Sequence, residues 1–248
     1  MKILKFKLSG KTAFFKKPDV NQTVFFTYGN IHKPALLGII GAVLGISGYA
    51  QQHENDYPRY YEELKDLKLA IVPNIEGSFQ RTIQTYNNST GFWNKSACKK
   101  GGANLIVKEQ WLINPSWNIY IDLNHIKGKE IEFAFKNQSF IFNPYLGNNS
   151  HPADISDVDI LEGRKTSEYK NIDSIFEVSA ASISKDQFDG DYDDEHIVIN
   201  PFKFNESLPI GLTNGSNYYL YEKMIHTNMI LEPNKSIVNV DCKNICLI

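Results

Sequence analysis

Residues 34–48, PALLGIIGAVLGISG, constrain the chain more than any other stretch. Pro34 suits the first turn of a helix, where its missing N–H would be unbonded in any case. Leu36, Leu37, Ile39, Ile40, Val43, Leu44 and Ile46 cover nearly the whole circumference, and a helix that is apolar all round has to be buried. Gly38, Gly41, Gly45 and Gly48 form one stripe at spacings of 3, 4 and 3. Each glycine costs about 1 kcal/mol of helix stability relative to alanine, which makes sense if another backbone, such as a sheet, packs directly on the stripe. A transmembrane helix is the rival, with Gly41 and Gly45 as a close-packing pair. The uncharged run is only about seventeen residues, the short limit for a span, and glycine and serine interrupt it. The expectation is a buried helix and no membrane.

Around this helix the pattern alternates between strand and helix. Residues 3–9 put Leu4, Phe6 and Leu8 on one side and Lys5 and Lys7 on the other, which predicts a half-buried strand with a basic open face. Residues 67–72, 105–112, 117–123 and 157–161 read as strands, 128–138 as a short helix, and 51–66 as helix or loop. The stretch between Val72 and Leu105 is too long for an ordinary connection, so it is either a functional arm or disordered. Strand, helix, strand, arm, strand, helix, strand is the βαββαβ order of a ferredoxin-like, RRM-like fold, α+β in class and a scaffold of RNA-recognition modules. The tail reads as strands joined by turns, including 197–199, 218–221 and 237–240.

Charge is unevenly placed along the 248 residues, although the net value is only −2. Residues 1–33 hold seven lysines against Asp19 alone, and residues 78–108 hold Arg81, Lys95, Lys99, Lys100 and Lys108 with no acid. Residues 151–195 carry thirteen acids against four bases. One face is expected to seek anions and another to meet solvent or a basic partner. Cys98, Cys242 and Cys246 form no zinc pattern, and Cys242 and Cys246, whose spacing would suit one helix face, are expected to be small buried residues. The start of the chain alternates lysine with apolar residues and lacks the apolar run of a signal peptide, so a reduced cytoplasmic protein is expected. The acidic run from Asp186 to Glu195 fails the EF-hand pattern, because Asp194 stands where glycine is needed and Asn200 where glutamate is.

Four separated motifs carry a family resemblance: KFKLSGKTAFFKKPDVN, FTYGNIHKPALLGIIGAVLGISGY, INPSWNIYI and PYLGNNSHPADI, in that order. Together they resemble the fifth CRISPR-associated (Cas-five) protein family of the RAMP superfamily in its type I-B form, well over residues 1–163 and loosely in the tail. The resemblance implies a ferredoxin-like domain over 1–165 with a long β-hairpin thumb at about 76–104, and a small, mostly β region over 166–248. It implies a non-catalytic, cofactor-free subunit of a Cascade complex in antiviral defence. Such a subunit binds the 5′ handle of the guide RNA (crRNA), joins the backbone and large subunits, and meets target DNA only through the complex.

The chemistry of RNA contact then singles out residues. Phosphates need cations and N–H groups, while unpaired bases need aromatic or guanidinium planes. Lys11, Lys16 and Lys17 after Gly10 are a candidate clamp on handle phosphates, with Phe14 and Phe15 beside them as core or contact. In the arm, Arg81, Phe92, Trp93, Lys95, Lys99 and Lys100 interleave base and ring, which suits stacking or packing on a neighbour. Tyr28, His32 and Lys33 precede the glycine-striped helix, whose N-terminus favours anions. The same trio suits metal-free RNA cleavage, with His32 as general acid or base. Type I-C relatives cut precursor RNA with an arrangement that includes a Lys-His pair, and this sequence has no such dipeptide. A metal-independent endoribonuclease for CRISPR repeats is therefore the alternative function.

Overall fold

The computed structural model describes residues 1–19, 23–87, 106–184 and 200–248. In chain order the first half contains β1 (Lys2–Ser9), β2 (Thr12–Ala13), α1 (Lys33–Leu44), α2 (Arg59–Leu64), β3 (Leu69–Pro73), β4 (Arg81–Asn87), β5 (Ile106–Ile113), β6 (Ser116–Asp122) and α3 (Gly128–Lys136). The second half is strand: β7 (Asp154–Glu162), β8 (Arg164–Thr166), β9 (Phe176–Glu177), β10 (Ala181–Ile183), β11 (Lys203–Leu212), β12 (Tyr219–Thr227), β13 (Leu231–Pro233), β14 (Ile237–Val240) and β15 (Lys243–Ile245). The class is mixed α+β, with most of the structure in sheets.

The main sheet has the order β3-β6-β1-β7, and every neighbouring pair is antiparallel. Alternation in β1 sends Leu4, Phe6 and Leu8 into the largest core, together with Leu36, Leu37 and Ile40 of α1 and Ile131 and Phe135 of α3. Phe6 and Phe135 meet with ring centroids 4.6 Å apart. The opposite face of β1 is not the open basic surface that the lysines predict. Ile3 packs there with Ala70, Val72, Tyr120, Val238, Val240 and Ile245, and Lys5 Nζ pairs with Asp241 at 2.7 Å. Nothing local in residues 3–9 announces this cover, because β14 and β15 arrive from the far end of the chain.

α1 is buried as expected but ends earlier than its apolar run. Gly45, at φ 71°, stops it in the left-handed conformation and donates back to Ala42 O, so Gly48 lies outside the helix. The close neighbour of the stripe is α2 rather than a sheet. A Cβ on Gly41 would sit 2.7 Å from Tyr60 Cβ. Gly41→Ala therefore sets about 1 kcal/mol of helix propensity against about 1–3 kcal/mol of overpacking. Urea titration is expected to show a net loss, and a stabilised variant would contradict this packing.

The tail shares the main core instead of standing apart, since Leu208, Leu212 and Met224 from β11 and β12 join the cluster built on α1. A smaller cluster gathers Tyr169, Ile172, Phe176, Ile225, Leu231 and Ile237. The expectation of two small buried cysteines is corrected at Cys242, and no helix joins it to Cys246. Asp241 and Cys242, at φ 51° and 57°, form the two-residue turn between β14 and β15, the geometry that a tight hairpin needs. Cys242 is exposed, and burial raises the Cys246 thiol to about 11. The strand expected at 197–199 and the acidic loop lie outside the described residues. Among the described residues, no helix is long and apolar enough to cross a membrane.

Candidate nucleic-acid interface

The basic loop between β1 and α1 is organised as a narrow ladder. Lys17 N donates to Phe26 O and Tyr28 N to Phe15 O, each at 2.9 Å, and Lys16 bridges Thr27 between them. Phe14 and Phe15 turn inward, which resolves their reading as core and leaves the adjacent lysines facing out. Lys16 Nζ lies 3.8 Å over the Phe25 ring, and Lys17 Nζ lies 5.1 Å from the Tyr28 ring centre. Phe26 remains 43% exposed and stands opposite Lys17 in the ladder, so that ring and that ammonium share one face while Lys16 takes the other.

The residue-144 motif holds this loop from behind. Phe14 N donates to Leu146 O at 3.1 Å, and Leu146 N donates to His151 O at 2.7 Å. The buried His151 ring lies with Nδ1 2.7 Å from Thr12 Oγ1, and Trp111 stands perpendicular to it at 4.7 Å.

β4 and β5 form the base of the expected arm, pairing from Arg81 with Leu112 to Asn87 with Ile106. β2 adds to the other edge of β5, and Phe25 is stitched to it through Lys108 O and Gln110 N. The arm root and the lysine loop are therefore one surface. A buried carboxylate braces the root: Glu109 accepts from Tyr86 OH at 2.8 Å and from Trp111 Nε1 at 2.9 Å. Burial, reinforced by that bond, raises the Tyr86 hydroxyl to about 12. Ile83, Tyr86 and Ile106 stay exposed on the hairpin. Phe92, Trp93, Lys95, Lys99 and Lys100, at the far end of the expected thumb, lie outside the described residues.

Three of the sequence candidates converge. Lys17 and Tyr28 are in contact, and Arg81 reaches the same spot, with its Nη2 2.5 Å from where a Cβ on Gly29 would lie. Lys16 adjoins them through Phe25. Lys11 is exposed but borders a separate shallow depression with Lys7, Asn114 and Asp154. Lys33 points elsewhere, into a cleft of about 910 Å³ whose lysines Lys65, Lys68, Lys165 and Lys235 are mixed with Asp66, Asp122 and Glu177. Its Nζ donates to Ile248 O at 3.2 Å, and burial lowers its pKa.

His32 and Tyr28 are internal. His32 is 3% exposed and is the N-cap of α1, where Nδ1 accepts from Ala35 N at 3.3 Å. Side-chain caps of this kind satisfy one of the four free N–H groups of a helix start. The rings of Phe15, Tyr28 and Tyr219 enclose it, and burial lowers its pKa to about 3. The Tyr28 hydroxyl is 3.0 Å from that of Tyr221, and burial raises its pKa, with Tyr221 adding to the effect.

The sequence reading missed Phe25, Gly29, Glu206 and Tyr221. Phe25 was legible in principle as an aromatic inside a basic loop. Glu206 carried no signal, since it meets Gly29 from 177 positions away. Among the described residues, no group of three or more His, Cys, Asp or Glu side chains is placed to hold a metal.

No family model matches the chain, and no curated protein matches it by sequence. Solved structures do. A chain of a CRISPR RNA-guided surveillance complex matches at a TM-score of 0.52 and 13% identity, over 93% of this chain and 91% of that one. A CRISPR protein from Archaeoglobus fulgidus matches at a TM-score of 0.51 and 10% identity, over 99% and 98%. At such identities the likeness is one of fold: the chain has a fold found among CRISPR-associated proteins.

Proposed function

We propose that this chain is the non-catalytic RNA-binding subunit of a Cascade-type CRISPR effector complex of type I-B, holding the 5′ handle of the guide RNA. The observation that carries the reading is the convergence of Lys17 and Arg81 at the root of a hairpin arm, on a ladder that also carries Lys16 and exposed Phe26. Cations there suit phosphates, and the ring suits an unpaired base. The fold shared with a surveillance-complex chain supports it, as do the four sequence motifs. The sheet order β3-β6-β1-β7, with helices after its first and third strands in chain order, fits the ferredoxin-like domain of that family. Backbone and large subunits are the protein partners, and target DNA is met through them. His32, enclosed and held neutral, lacks the access that a general acid or base requires, which favours binding over cleavage.

The test is binding and cleavage of a labelled repeat RNA with an intact 5′ handle, at two salt concentrations, with EDTA present. Salt-sensitive binding without cleavage, preferring the handle over scrambled RNA, is expected. Replacing both Lys17 and Arg81 by alanine is expected to lower the salt slope by about 1.4, near 0.7 per lost phosphate contact on a single strand. Specific cleavage in EDTA would replace this reading with the endoribonuclease one. An unchanged slope would remove these cations from the RNA path.

A further inference from the structure

The convergence of Lys17, Gly29 and Arg81 has an occupant. Both carboxylate oxygens of Glu206 accept from the Gly29 N–H, at 2.9 and 3.0 Å, and one of them lies 3.2 Å from Lys17 Nζ. Only 9% of the Glu206 side chain is exposed, so the carboxylate sits inside the surface. Gly29 makes the arrangement possible. A Cβ there would come within 2.5 Å of Arg81 Nη2, 2.9 Å of Phe204 Cζ and 3.0 Å of Glu206 Oε2. The acid and the guanidinium therefore border one space that only glycine leaves empty.

A backbone N–H and an ammonium that share one carboxylate, with a guanidinium beside the same glycine, form a receptor for a tetrahedral oxyanion, and a carboxylate is its nearest protein substitute. We infer that Lys17, the Gly29 amide and Arg81 form a phosphodiester site, and that Glu206 occupies it as an internal competitor until RNA displaces it. The inference rests on the RNA-binding reading above and adds the regulation of that surface. Glu206 arrives on β11, whose partner β12 supplies Tyr221 to Tyr28. Displacing the carboxylate thus removes one tie between the β11–β12 hairpin and the lysine loop and leaves the Tyr28–Tyr221 bond. A phosphate entering the site takes over the Gly29 N–H and the Lys17 charge, so no donor is left unpaired. By linkage, whatever draws the hairpin away strengthens RNA binding by the same factor as RNA weakens the hairpin contact.

The experiment measures binding of the labelled repeat RNA by wild type, Glu206→Gln and Glu206→Asp, with melting curves for all three. Glu206→Gln removes the charge and keeps the shape. It is expected to tighten binding roughly fivefold, the lower end of ordinary coupling between sites, with the salt slope unchanged, because the same phosphate is engaged once the carboxylate has left. Adding Lys17→Ala to that variant is expected to cancel the gain. Glu206→Asp keeps the charge but shortens its reach, and is expected to give a smaller gain in the same direction. If wild type fails to bind RNA, the functional reading falls and this inference falls with it. If wild type binds and neither variant binds tighter, the site is not competed for and only the inference falls. If both variants melt below the assay temperature, Glu206 is a structural post and the inference is equally overturned.

Discussion

Acidification from pH 6.5 to about pH 4 is expected to cost the folded chain about 3 kcal/mol through His32 alone, near 1.4 kcal/mol per pH unit. The ring is held at about 3 against an ordinary 6.5, and burial is the cause. Between those two values the unfolded chain binds a proton that the folded chain refuses, so stability rises with pH across the window. It is fully present above the ordinary value and is lost as pH falls toward the depressed one. The geometry gives the same sign, because protonated Nδ1 can no longer accept from Ala35 N–H, and three aromatic rings offer no counter-charge. His151 and His226 are lowered by burial too, and they steepen the decline. Urea titrations at pH 7, 5.5 and 4.5 (all approximate set points) measure it. His32→Asn, which keeps a capping side chain, is expected to flatten the upper part of the profile. A wild-type stability constant from pH 7 to about pH 5 would show that the ring is not held neutral by the fold.

Trp117→Ala is expected to cost about 3–5 kcal/mol, the range for emptying a buried aromatic site. The ring is fully buried, edge-on to Phe79 at 5.1 Å and to Phe15 at 6.0 Å. Its Nε1 donates to buried Asn30 Oδ1 at 3.0 Å, so truncation also orphans an acceptor. Trp117→Phe separates these contributions. It keeps most of the packing and loses the donor, for an expected cost of about 1–3 kcal/mol. Phe15 and Asn30 flank Lys16, Lys17 and Gly29 in the chain, so RNA affinity is expected to fall with stability in the alanine variant. Equilibrium denaturation decides the matter, and a loss under about 1 kcal/mol for Trp117→Ala would mean that the site collapses around the gap.

What could be seen in the sequence was local and periodic. Alternation in residues 3–9 predicted β1 to within a residue, and the wholly apolar surface of residues 34–46 predicted a buried helix. The order of strands and helices through Glu162 was legible for the same reason. Pairings across long separations were not. The cover over Lys5 comes from Asp241, and the acid beside Gly29 comes from β11, neither of which leaves a trace in its partner's neighbourhood. His32 shows the second limit. A histidine before a helix reads equally as an anion ligand, a catalyst or a cap, and nothing in its neighbourhood announces the three rings that enclose it. The cysteine pair failed because spacing alone cannot reveal two consecutive residues in the left-handed region. The direction of Lys33 was not legible because a long side chain chooses it by what it can reach, here the Ile248 carbonyl.

The burial of Ile3 against Val238, Val240 and Ile245 also bears on how the chain is made. During synthesis β1 waits for β6 through about 110 further residues and for β7 through about 150 (several seconds or more at ordinary elongation rates), and still presents a bare apolar row until β14 emerges. A nascent chain halted before residue 237 carries a sheet with one finished side and one adhesive side. Such intermediates are what chaperones hold and what aggregates recruit. A truncation within β14 or β15 therefore acts on β1, whose apolar row those strands cover.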